Sequence, residues 1–305
     1  MGALIWRRLL FLVPVLFGIL VAVFVVMRIV PGDPARLVGG PDAGPEELAT
    51  IRTQFGLDRP LHVQFGRYLA DVVRGDFGRS LKTQRPVLDE ITPRLANTAL
   101  LALLSTVFAV VGGLGAGVVA AARRHSAFDY ASMAVAMVGV STPSFYLGIV
   151  LIVVFAVMLR LFPAGGSGGF VHLVLPAVTL GASTLGIVAR MTRASMVDVL
   201  EEDYVRTARA KGVAEPLIVL RHALRNALLP IIAVVALQFG FVLAGSVLVE
   251  TVFSFPGIGW LLVESISMRD FPVVQGAILL VTLVSVLVNL VADVLYVYAD
   301  PRIKY

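Results

Sequence analysis

The 305-residue sequence contains no cysteine. That absence excludes disulfides, thiolate metal sites and a cysteine nucleophile. Lysine occurs only at Lys82, Lys211 and Lys304, and none of them follows a glycine. A P-loop ends in Gly-Lys-Ser/Thr, with the lysine on the phosphates, so the chain carries no such cradle and no ATPase site of its own. Histidine is limited to His62, His125, His172 and His222, scattered without metal-ligand spacing. Charge is scarce as well: 15% of residues are charged and 58% are hydrophobic, against about 25% and about 45–50% in a soluble domain. What remains is apolar sequence, with a mean hydropathy of +0.91, and it marks a membrane protein. The net charge of +5 is then a question of where the basic residues fall, not an indication of nucleic acid.

A membrane helix needs about 20 mainly apolar residues. Such runs cover Leu9 to Val30, Thr98 to Ala122, Ala131 to Leu159, Val171 to Ala189, Ala227 to Val252 and Val273 to Tyr298. The first follows Arg7 and Arg8 as a signal peptide would, but it exceeds the roughly 7–15 residues of a signal core and ends in "PGDP". It is read as an uncleaved span. The third is longer than one straight crossing needs and contains Pro143, so a kink, a tilt or an extra-membrane first turn is expected there. The expected fold is all-α, a polytopic bundle of six transmembrane helices. Basic residues cluster before the first run, at Arg123 and Arg124, between the fourth and fifth runs, and at Arg302 and Lys304. The opposite short loops hold Arg160 and Arg269, so both termini are placed in the cytoplasm.

The chain divides into 1–30 with the first span, 31–96 outside the membrane, and a five-helix core over 97–305. The outer segment reads as structured. In "GPEELATIRTQFG", Pro45 opens a helix, Glu46 and Glu47 fill its first turn, and Gly56 follows its end. Leu48, Ile51 and Phe55 share one face. "RPLHVQFGRYLADVVRG" and "RPVLDEITPRL" repeat the style. A small folded extracytoplasmic cap of short amphipathic helices is expected, able to dock an external protein, against the plainer alternative of interfacial helices with no partner.

"GGSGG", Gly165 to Gly169, formally matches the G-x-S-x-G of a nucleophile elbow. An elbow needs a strand before it, and the flanks here are "LRLFPA" and "FVHLVLP". A flexible turn is the plainer reading, against an intramembrane serine hydrolase built on Ser167. Asp293 in "NLVADVLY" is the candidate carboxylate for a secondary transporter, or it sits at the interface or pairs within the bundle. Ser141, Thr142 and Gln238 are candidates for lining a pathway, or for hydrogen bonding between helices together with Asn289. Gly113 and Gly117 form a small-xxx-small packing face.

The remaining feature is a charged segment between apolar runs, "YVRTARAKGVAEPLIVLRHALRN". From Asp203 to Lys211 it reads as helix, with Tyr204, Ala208 and Lys211 on one face and Gly212 ending it. Pro216 opens a second helix, on which Leu217, Leu220 and Leu224 align beside Ile218, away from Arg221 and Arg225. The pattern fits a plug for a cytoplasmic socket, or a hairpin lying on anionic lipid.

"RTARAKG" with "LRHALRNALLP" resembles the cytoplasmic loop of ATP-binding-cassette importer permeases, specifically the dipeptide/oligopeptide group, which also handles glutathione and nickel chelates. "RIVPGDPARL", "GDFGRSL", "RLANTALLA", "ETVFSFPGIGWLLVESISMRDFPVVQG" and "YADPRIKY" agree in the same order. The resemblance implies a permease subunit in the bilayer of a bacterial or archaeal cytoplasmic membrane. It also implies a homologous second permease, two cytoplasmic ATP-binding subunits and an extracytoplasmic solute-binding protein. ATP and Mg would reside on the partners, and this chain would bind no cofactor. The loop 191–226 would dock the ATPase through Tyr204, Arg206, Thr207, Ala208, Lys211, Gly212, Glu215 and Leu220. Arg206, Thr207 and Ala208 stand where the general importer loop has Glu-Ala-Ala, with Gly212 at its Gly. His222 and Arg225 replace its Ile and Pro.

Overall fold

A computed structural model describes residues 2–29, 34–39, 43–54 and 56–299. Nearly all of the described chain is helical, and no strand occurs among the described residues. In chain order the helices are α1 (Gly2–Ile29), α2 (Pro34–Gly39), α3 (Pro45–Gln54), α4 (Leu61–Val73), α5 (Val87–Ala122), α6 (Ala127–Ser141), α7 (Ser144–Leu151), α8 (Phe170–Leu200), α9 (Asp203–Ala210), α10 (Glu215–Leu217), α11 (Leu224–Val252), α12 (Ile258–Ser267) and α13 (Phe271–Ala299). π-helical turns, Ile152–Met158 and Ile218–Ala223, continue α7 and α10. The chain forms two compact units. One holds Asn97–Pro256 and the helix from Leu287, the other Gly2–Ala96 and Gly257–Val286.

In the unit that includes the N-terminal segment, α3 starts and ends where its sequence dictates. Pro45 stands first, Glu46 and Glu47 lie in the first turn, and Gly56 beyond the end takes φ +64°. Leu48 and Ile51 bury against Ala35, whereas Phe55 lies outside the described residues. On α4, Phe65 meets Phe24 edge-on at 5.1 Å, and Tyr68 stacks on Phe24 at 6.1 Å. Burial pushes the Tyr68 phenol up to about 12. The stretch "RPVLDEITPRL" is not a separate cap helix. It is the first part of α5, which runs through Pro93. Val87 and Ile91 pin that start by burying against Ile258, Leu261, Val273 and Ala277. Gly276 permits the approach, since a Cβ there would lie 2.7 Å from Val87 Cγ1. Asp270 closes the same region, accepting from the Ser80 hydroxyl and, at 3.0 Å, from the Leu81 N–H.

In the other unit α8 packs against α6, α7 and α11. Small residues set the spacing. Cβ atoms added at Gly113 and Gly117 of α5 would meet Val188, Ala189 and Thr192 at 2.5–2.8 Å. Gly186 faces the Ala136 carbonyl, and Gly139 faces that of Ala182. The face expected at Gly113 and Gly117 is therefore a packed one.

Six spans were expected. Among the described residues four helices are long and apolar enough to cross a membrane: α5, α8, the helix over Glu215–Val252, and Phe271–Val291. A fifth arises if α6 and the helix over Ser144–Met158 count as one span, and these meet at a 110° bend. That bend is far sharper than a proline kink, and it sits at Thr142–Pro143, where Pro143 precedes α7 and Thr142 is extended (ψ 125°). In α1 the described apolar stretch is Leu12–Val26. The fourth apolar run ends at Ala189, but its helix continues to Leu200 because Thr192 and Met196 remain buried.

Candidate docking hairpin

The charged segment forms a helical hairpin on the end of α8. At the tip, α9 closes with paired hydrogen bonds. Val213 N–H donates to Ala208 O at 3.2 Å, and Gly212 N–H donates to Arg209 O at 3.0 Å. This pair, with Gly212 at φ +79°, is a Schellman closure that requires a left-handed residue at position 212. Ala214 then starts α10, with Pro216 in the first turn. Arg209 spans the turn, donating from Nη2 to Glu215 Oε1 at 2.7 Å and from Nε to Oε2 at 3.1 Å. The carboxylate raises the Arg209 guanidinium pKa above its already high ordinary value.

The two arms are also tied at their base. Asn226 Nδ2 donates to Tyr204 Oη at 2.7 Å and to His222 O at 3.0 Å. Val205, Ile218, Val219 and Ala223 are buried, the last two in a cluster with Ala121, Val188, Met196, Ala227 and Ile231. Of the leucines aligned by 3.6-residue periodicity, Leu217 and Leu220 are 46% and 60% exposed, whereas Leu224 is half-buried against that cluster. The π-helical turn over Ile218–Ala223 lies between Leu217 and Leu224.

Of the residues expected to dock the ATPase, Tyr204, Arg206, Thr207, Lys211, Gly212, Glu215 and Leu220 are exposed and Ala208 is half-buried. The Thr207 hydroxyl donates to Asp203 O at 2.9 Å, and Arg206 approaches Asp203 at 3.4 Å. All eight lie on one hairpin. Sequence reasoning missed Arg209 as a member, although opposite charges flanking Gly212 were a signal for it.

Reasoning from sequence also missed what anchors the hairpin. Arg193 on α8 donates from Nε and Nη2 to both oxygens of Asp129 on α6, at 2.6 and 2.7 Å. Arg124 meets Glu201 at 2.5 Å on the surface.

The pathway candidates lie on different elements. Ser141 and Thr142 adjoin the α6–α7 bend, where the Thr142 hydroxyl donates to Val138 O at 2.7 Å. Gln238 is half-buried on α11. No hydrogen bond joins it to them among the described residues. Ser167 is exposed, and the His172 N–H donates to Gly169 O at 3.2 Å. The glycine turn docks on the end of α11, with Gly166 N–H donating to Phe253 O at 2.8 Å. A Cβ at Gly165 would lie 2.1 Å from that oxygen, so close packing accounts for the glycine there. Asp293 has a side chain outside the described residues.

A family described as "Binding-protein-dependent transport system inner membrane component" matches residues 113–305, and its N-terminal counterpart matches 1–102. The "Glutathione transport system permease protein GsiC" of Escherichia coli (strain K12) is 50% identical over 299 residues, 98% of this chain and 98% of that protein. The protein of the same name in Shigella flexneri serotype 5b matches to the same extent. Among solved structures, the MetNI methionine ABC transporter in an inward facing conformation aligns with TM-score 0.58 and 18% identity, covering 68% of this chain and 95% of that one. An amino acid ABC transporter with histidines aligns with TM-score 0.51 and 15% identity, covering 70% and 94%. These two likenesses concern the fold.

Proposed function

The chain belongs to the binding-protein-dependent transport system inner membrane components, as an ATP-binding-cassette importer permease of the peptide/glutathione group, and from that premise we propose that it imports small peptides of the glutathione and di- or oligopeptide class. In this reading the membrane is crossed six times, with α1 as the first span and both termini in the cytoplasm. Residues 31–96 lie outside and receive a solute-binding protein. A homologous second permease completes the pathway.

Two cytoplasmic ATPase subunits serve the importer, and one grips this chain's hairpin at residues 191–226 through Tyr204, Arg206, Thr207, Ala208, Lys211, Gly212, Glu215 and Leu220. ATP and Mg sit on those subunits. The observation that carries the docking is the hairpin's outer surface. Two apolar side chains, Leu217 and Leu220, stand exposed beside charged residues, on a tip held rigid by the Gly212 closure and the Arg209–Glu215 fork. Transport then requires the hairpin to be held differently in two nucleotide states, since only a differential interaction shifts a conformational equilibrium.

Gentle purification of the whole chain from importing membranes tests the division of labour. The expected result is co-elution of ATP-binding subunits and hydrolysis that the isolated chain lacks. Stoichiometric ATP hydrolysis by this polypeptide alone contradicts it. The ligand carried by the external partner identifies the cargo.

A further inference from the structure

We infer that Asp129 and Arg193 form the joint through which the hairpin drives the broken helix pair α6–α7, making them positioning residues for transport. The inference rests on the docking reading above and adds where the motion goes after docking.

Asp129 lies in the first turn of α6, and its side chain is 2% exposed. Its two oxygens accept the two-pronged Arg193 contact, and Oδ2 also accepts the His125 N–H at 3.1 Å. Ser126 caps the same helix, accepting from the Asp129 N–H at 3.3 Å. A bidentate pair fixes orientation as well as distance, so the α6 N-terminus cannot swivel on α8 while the pair is intact. Arg193 stands seven residues before Leu200, the last residue of α8, and α9 begins at Asp203. The joint is therefore close to the root of the hairpin.

The rest of α6 is keyed to α8 by close backbone approach, Gly186 against Ala136 O and Gly139 against Ala182 O. Motion entering at the Asp129 end thus reaches Ser141 with α6 moving as a rod. There the chain turns by 110° into α7, and the break at Thr142–Pro143 is where the backbone changes direction. Asp129 is buried whereas Arg193 is 29% exposed, so loss of Arg193 leaves the carboxylate charge uncompensated and the pair resists separation. The neighbouring Arg124–Glu201 contact is 44% and 66% exposed and adds little by comparison.

The test uses the assembled importer in vesicles, with import and ATP hydrolysis measured on the same preparation. Asp129→Asn removes the charge. Arg193→Lys keeps the charge and removes the fork. The exchange Asp129→Arg with Arg193→Asp restores a pair in reverse. The expected result is normal insertion, retained ATPase subunits and unchanged basal hydrolysis. Solute imported per ATP falls about ten-fold in Asp129→Asn, within the usual range of coupling between sites, less in Arg193→Lys, and recovers in part in the exchange. Import and hydrolysis falling in proportion, import left intact, or loss of insertion in both single variants overturns the joint and leaves a purely structural pair. Retention of ATPase subunits by the unaltered chain is scored separately, because its failure sinks the docking reading and not the joint.

Discussion

Arg209 and Glu215 face each other across the Gly212 turn in a two-pronged contact, Nη2 to Oε1 at 2.7 Å and Nε to Oε2 at 3.1 Å. Both are substantially exposed, at 42% and 56%, so the pair adds only about 0.2–1 kcal/mol to stability. Its consequence is the shape of the tip. Arg209→Glu is expected to leave membrane levels unchanged and to lower import. Combining it with Glu215→Arg restores import. Uptake and immunoblot on the same vesicles check this, and an unaltered single variant counts against a shaped tip.

Gly212 takes φ +79°, a region that disfavours any side chain by about 1–2 kcal/mol. Gly212→Pro goes further, since proline fixes φ near −65° and lacks the N–H that here donates to Arg209 O. Such a chain is expected to insert and to import poorly with its partners present. Normal import by Gly212→Pro or Gly212→Asp refutes the docking assignment.

Gly117 and Gly115 separate packing from composition. A Cβ at Gly117 would lie 2.5 Å from Thr192 Cβ and 2.6 Å from Ala189 O, whereas one at Gly115 meets nothing within 4 Å. Gly117→Val is expected to destabilise by about 1–3 kcal/mol, the usual range for overpacking, and Gly115→Val to be tolerated. Thermal unfolding in detergent compares the two directly.

Ser167 tests the discarded chemistry. It lies exposed in the turn whose Gly166 N–H donates to Phe253 O, and no strand occurs among the described residues. Ser167→Ala is expected to import at the unaltered rate. Abolished activity revives the serine hydrolase.

Features set by one residue's backbone were legible in the sequence. Gly212 closes α9, Pro45 and Glu46 open α3, and Gly113 and Gly117 make a packing face. Features set by distant partners were not. The Asp129–Arg193 pair joins residues 64 apart in sequence, and no local pattern announces it. The π-helical turn over Ile218–Ala223 was not legible either, because a 3.6-residue period assumes α-helical winding throughout. The 110° bend exceeded what Pro143 alone implies, because an isolated proline says where a helix breaks and not by how much.

In the proposed reading a separate nucleotide-hydrolysing subunit grips the hairpin. A chain without cysteine permits a direct test. Arg206→Cys, Lys211→Cys and Leu220→Cys, each alone, carry a cross-linker in actively importing membranes. Capture of an ATP-hydrolysing subunit, with a yield that changes between ATP-bound and ATP-free conditions, is the predicted result. Capture of lipid alone contradicts it.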